Sequence, residues 1–274
     1  MNTLSMQPRT LRVPTSFGTL YRRHPLWWQA AFAFAGLMIV SGVFGSFDDR
    51  TLNGVSVWAK PFKFSLSIAV YFASLAWFVP LLPNGFIESR KGRWMTMLPI
   101  VCAAFEILYI ALQASRGEAS HFNLTSPLHS AMYSLMGFGA IVMVAVCSWM
   151  GVLILRTHSR DPYAVAVGVG LVLTFVLGGG FGGYMGQHMS HWVGGTQNDA
   201  AGLWLMKWSR DGGDLRVAHF FGIHAMQVLP MFAALLPRAW SARTAIVVVV
   251  VAAAVYAAAT TFTFVQAIAG LPFV

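Results

Sequence analysis

Charge is what this sequence has least of. Asp, Glu, Lys and Arg make up 10% of the 274 residues, where a soluble domain carries about a quarter. Hydrophobic residues make up 57%, which excludes an ordinary soluble domain. Cysteine is nearly absent: Cys102 and Cys147 alone cannot build a disulfide framework. They fall at matching depth in successive apolar runs and are expected as free buried thiols. There is no HExxH and no other strong zinc spacing. The last apolar run, 244–270, contains no lysine, so the Schiff base of a microbial retinal protein has no attachment point. No nucleic-acid-binding motif accompanies the net charge of +9.

What the chain has instead is apolar runs of membrane-spanning length separated by short polar breaks. They predict an all-α, polytopic membrane protein: a seven-transmembrane helix bundle with spans at 26–45, 61–82, 94–114, 128–155, 162–186, 216–236 and 244–270. Residues 1–25 read as a basic tail and 26–274 as one transmembrane domain. Pro61 suits the first turn of the second helix. Arg9, Arg12, Arg22, Arg23, Arg90, Lys91, Arg93, Arg156, Arg160, Arg238 and Arg243 fall on one side. The positive-inside rule puts that side, and the N-terminus, in the cytoplasm and the C-terminus outside. A multi-pass protein of a bacterial inner membrane is expected, with the lipid bilayer as its first partner and no nucleic acid.

On this topology His121, His129, His188, His191, His219 and His224 belong to the outer half, and only His24 and His158 face the cytoplasm. Polar groups at membrane depth are costly and usually functional; histidines also serve as interfacial caps. Glu106 is the only carboxylate in the middle of a span. It is expected either to hydrogen-bond a histidine or ligand, as a proton relay, or to sit protonated against a neighbouring helix. His219 and His224 are five apart, about 140° around a helix, so they are expected on different faces. His188 and His191 share a face if their helix continues. Gly178, Gly182 and Gly186 recur every fourth residue, a strip that admits another helix or a flat ligand.

Three chemistries are compatible with this pattern. The first is b-type haem near the outer face, ligated by His121, His191, His219 or His224, with Arg116, Lys207 and Arg216 toward the propionates and Gly178 and Gly182 as a wall. Electron transfer would follow, with quinone or quinol and a periplasmic redox partner at either end. The second is a copper or zinc centre, to which Met185, His188, Met189 and His191, with His129, offer soft and imidazole donors. The third is a cofactor-free transporter or sensor. An oxidoreductase is the enzyme class the first reading implies.

The segments WAKPFKFSLS, LQASRGEASHFN and GGDLRVAHFFGIHAMQVLP resemble a family of uncharacterised bacterial integral membrane proteins. The resemblance covers about residues 58–230. It implies a shared fold and one site containing Lys60, Lys63, Glu106, Arg116, His121, His191, His219 and His224. It supplies no activity.

Overall fold

The computed structural model describes residues 17–274. Residues 1–16, most of the expected basic tail, lie outside the described residues. The rest of that tail is partly helical: α1 spans Phe17–Arg23. Then come α2 (Pro25–Gly45), α3 (Ala59–Phe78, extended by a tight turn to Leu81), α4 (Arg90–Arg116) and α5 (Pro127–His158). The next helix is compound. α6 (Pro162–Leu173) passes through a π-helical stretch, Thr174–Gly179, into α7 (Gly180–His188). α8 (Leu215–Ala234) and α9 (Ala242–Ile268) complete the bundle. Seven helices, counting α6–α7 as one, are long and apolar enough to cross a membrane.

The ends are set by side chains that the hydropathy pattern does not weigh. Ser89, Ser126, Asp161, Asp214 and Ser241 each accept a backbone N–H from the first turn of the following helix. Pro127 and Pro162 then occupy first-turn positions where no N–H is needed. The third span accordingly begins four residues earlier than the apolar run, at Arg90, and ends where Gly117 turns left-handed (φ 73°).

His24 caps α2 differently. Its Nδ1 accepts the Trp27 N–H at 3.2 Å, and its Nε2 lies 3.0 Å from Thr96 Oγ1. Nδ1 therefore carries no proton, and burial holds this imidazole down at about 4. An unfolded chain takes up the proton near 6.5 while the native ring does not. Thermal stability is therefore expected to fall as pH drops from about 6.5 toward about 4. The replacement His24→Asn, which caps without titrating, is expected to flatten that slope in a series of melting curves.

The two ends of the bundle are unlike. Toward the α1 end the core is apolar and dry, built on Trp27, Phe34, Phe72, Leu75, Met95 and Ile154. At the other end three long connections fold over the helices. Strands β1 (Thr51–Leu52) and β2 (Val55–Ser56) form a hairpin whose Asn53–Gly54 turn has positive φ at both residues. β3 (Trp192–Val193) pairs with β4 (Gly213–Asp214), immediately before α8. The Asp199 N–H donates to Asn53 O, and Arg50 Nη1 donates to Ser115 O, so the loops are tied to one another. This loop end carries six of the histidines.

Candidate functional site

A cleft of about 140 Å³ lies beneath the loop end. It is walled by α3 (Phe64, Tyr71), Glu106 of α4, Met143 of α5, Thr174 of the π-helical stretch, and His219, His224 and Gln227 of α8. Glu106 is ten residues from the end of α4 and His224 nine from the start of α8, each about 15 Å deep at 1.5 Å per residue. Val70, an exposed residue of α3, also lines it, so the cleft reaches the outer surface of the bundle.

The hydrogen-bond roles follow from what each partner is able to do. His219 Nδ1 lies 2.9 Å from Gly178 O, and His224 Nδ1 lies 2.6 Å from Phe220 O. A carbonyl only accepts, so both Nδ1 atoms carry hydrogen and both Nε2 atoms keep a lone pair. Neither Nε2 has a hydrogen-bond partner among the described residues. Gln227 obeys the same logic. Ser74 donates its hydroxyl to Val70 O, so it accepts from Gln227 Nε2 at 3.0 Å. That turns Gln227 Oε1 away, and this buried oxygen has no donor. The cleft is thus lined by two imidazoles free to accept at Nε2 and by the Glu106 carboxyl, with the buried Gln227 Oε1 beside them. Leaving a buried acceptor such as Gln227 Oε1 unmet costs about 1–3 kcal/mol.

His219 and His224, five apart on the regular α8, both line this cleft, because it extends from the π-helical stretch toward α3. The π turn departs from the α-helical ladder, and Gly178 O receives His219. The glycine strip admits α8. A Cβ on Gly178 would stand 2.6 Å from Ile223 Cγ2, and one on Gly182 would stand 2.8 Å from the His219 ring. A Cβ on Gly222 would meet the Gly178 nitrogen at 2.7 Å, backbone against backbone. Gly222→Ala is expected to cost about 1–3 kcal/mol by overpacking, measurable as a lower melting temperature with α8 displaced from Gly178.

A second polar group lies under the loops. His121 Nε2 is 3.9 Å from Glu106 Oε1, and its Nδ1 is 3.1 Å from Ser120 Oγ. Burial and the Lys60 charge hold this imidazole well below the ordinary range. Lys60 is within electrostatic reach of Glu106, with its ammonium 5.7 Å from the Phe64 ring centre. Farther out, His191 Nε2 lies 3.6 Å from Asp199 Oδ1, beyond a formed hydrogen bond. Burial pushes the Asp199 carboxyl up, but His191 and Arg216 outweigh it and hold it at about 2. Arg216 forks across Asp214 and Asp199 and donates to Lys207 O.

Other expected site residues stand apart from the cleft. Arg116 is exposed at the end of α4. Lys207 contributes its carbonyl to Arg216, and Lys63 donates to Met206 O at 3.4 Å. His129 is held by Ser126, Thr125 and Glu118. The helix stops at His188, with Met189 left-handed (φ 57°), so His188 and His191 share no face. His188 stacks on Tyr184, and Met185 lies on the same short helix. Among the described residues no three His, Cys, Asp or Glu side chains are placed to hold a metal ion. Cys102 packs on Gly139, which lies two turns, about 12 Å, from Cys147 along α5; both thiols are free. Tyr71 and Thr174 escaped the sequence reading of the site, whereas Gln227 was legible from its helical spacing as sharing a face with His224.

A bare Nε2 suits haem iron as well as it suits a hydroxyl donor. A cavity of about 150 Å³ takes one benzene ring, so the volume of about 140 Å³ matches a single ring, and the glycine strip expected to flank a flat ligand is filled by α8. Comparison with protein-family models, with curated proteins and with solved structures gives no match.

Proposed function

We propose that the cleft binds the head group of a quinol, a lipid-soluble ring whose hydroxyls donate hydrogen bonds to it. The observation that carries this is the excess of acceptors: His219 and His224 line one ring-sized cleft with Nε2 bare, and the buried Gln227 Oε1 beside them has no protein donor. A hydroquinone has the complementary features. It is one aromatic ring, it carries two hydroxyl donors, and its tail partitions into lipid. Phe64 and Tyr71 supply aromatic wall, and Glu106 is the carboxyl within the cleft. By the positive-inside rule the excess of arginine and lysine at the α1 end supports a cytoplasmic position for that end, and with it a cleft toward the outer face of a bacterial inner membrane.

The test is a titration of protein in nanodiscs with a fluorescent hydroxyquinoline N-oxide, a quinol analogue. Saturable one-to-one quenching, reversed by a short-chain quinol, is the expected result. Absence of quenching would refute the reading; with a Soret band in the same sample, haem would replace it.

A further inference from the structure

We infer that Glu106 and His121 form a proton exit from the cleft to the loop end. The two groups bridge regions that are otherwise separated. Glu106 lines the cleft, whereas His121 does not. His121 belongs to the connection between α4 and α5, and 20% of its side chain is exposed. Their closest atoms, Glu106 Oε1 and His121 Nε2, are 3.9 Å apart. A small rotation or one bridging water closes that gap.

On the far side, Ser120 Oγ lies 3.1 Å from His121 Nδ1. With Nδ1–H donating to that oxygen, Nε2 is bare and faces the carboxyl. The transfer balances without any redox partner. A hydroxyl in the cleft gives its proton to the Glu106 carboxylate, forming the neutral acid. The acid gives that proton to His121 Nε2 as Nδ1 releases its own to Ser120 or water. Glu106 and His121 return to their starting charges, His121 in its other tautomer, and the cleft donor is left as its oxyanion.

Other charged or titratable groups frame the path without closing it. Lys60 of α3 faces both members electrostatically and forms no ion pair with either. His219 and His224 of α8 have their Nδ1 protons committed to carbonyls, so they do not compete as relays. Cys102, one turn back on α4, packs on Gly139. From α5, Tyr133 meets the His121 ring edge-on and donates its hydroxyl to Gly186 O. Phe64 and Phe122 enclose the imidazole from two further sides. The enclosure directs His121 toward Glu106 and Ser120.

The inference rests on the quinol reading only for the identity of the proton donor, so it is testable without ligand. In a pH-jump infrared experiment on the full chain, the protonated-carboxyl band missing from Glu106→Gln reports arrival of the proton at Glu106. His121→Phe is expected to slow its appearance by at least about tenfold, and added imidazole to restore the rate. An unchanged rate in His121→Phe would overturn the exit, as would slowing that imidazole does not relieve. Quenching of the quinol analogue by the wild type alongside an unchanged His121→Phe rate would sink the exit and spare the binding reading. Slowed, rescued transfer without quenching would do the reverse.

Discussion

His224→Ala is expected to weaken binding of the quinol analogue by about 10- to 100-fold, equivalent to ~1.5–3 kcal/mol. The size follows from what is removed. His224 lines the cleft, its Nδ1–H is held by Phe220 O at 2.6 Å, and its ring packs on Phe220 at 4.0 Å between centres. The lone pair on Nε2 is therefore presented in a fixed direction. Alanine leaves the ligand hydroxyl without an acceptor in a site of low polarity. Because both Nδ1 and the ring are held within α8 itself, the substitution breaks no contact between helices through that hydrogen bond. His219→Ala differs in this respect: it removes the bond to Gly178 O and empties the space above Gly182. Loss of affinity at His224 with an unchanged melting curve, and loss of both at His219, is the signature to look for. Equal affinity in His224→Ala and wild type would contradict the assignment.

Arg216→Ala is expected to be the most destabilising single change, about 3 kcal/mol, at the low end for breaking a buried ion pair because 21% of the arginine side chain is exposed. Arg216 Nη2 lies 2.8 Å from Asp199 Oδ1 and 2.6 Å from Asp214 Oδ2. Asp214 is buried and also caps α8, receiving the Arg216 N–H and the Ser209 N–H. Alanine therefore leaves two carboxylates facing each other's neighbourhood without a cation, at the point where the long loop meets α8. Asp199 also anchors that loop to the β1–β2 hairpin through its backbone. A fall in melting temperature of about 10 °C is expected for a chain of this size. The double variant Arg216→Ala, Asp199→Asn is expected to recover part of it, since one uncompensated charge is gone. Arg216→Lys is expected to fall between, because an ammonium does not fork across two carboxylates.

Hydropathy alone located seven apolar segments, and seven helices long enough to cross a membrane occupy those segments. Helix boundaries moved where polar caps took over, as at Ser89 and Asp214. The clustering of histidines at one end was legible because it depends only on chain order and the number of crossings. Which of them meet was not, because helical periodicity assumes a regular helix and a narrow contact face. α8 is regular, but the cleft running along it is wide enough to take both His219 and His224. His188 fell away from His191 when the chain turned left-handed at Met189, a conformation that a non-glycine residue rarely adopts. The acceptor excess was hidden for a different reason. Whether Gln227 Oε1 has a donor depends on the hydroxyl of Ser74 one helix away, and no sequence spacing encodes that contact. The glycine strip was legible as a close approach, and its occupant, α8, is the commoner of the two that its spacing allowed.

The most direct test is the ¹⁵N spectrum of histidine-labelled protein in nanodiscs, with and without the quinol analogue, with His224→Ala used for assignment. The account predicts that the His224 ring is neutral, protonated on Nδ1 and bare on Nε2, and that the analogue shifts the Nε2 resonance toward a hydrogen-bonded value. A ring protonated on Nε2, or an Nε2 resonance that saturating analogue leaves in place, would contradict it.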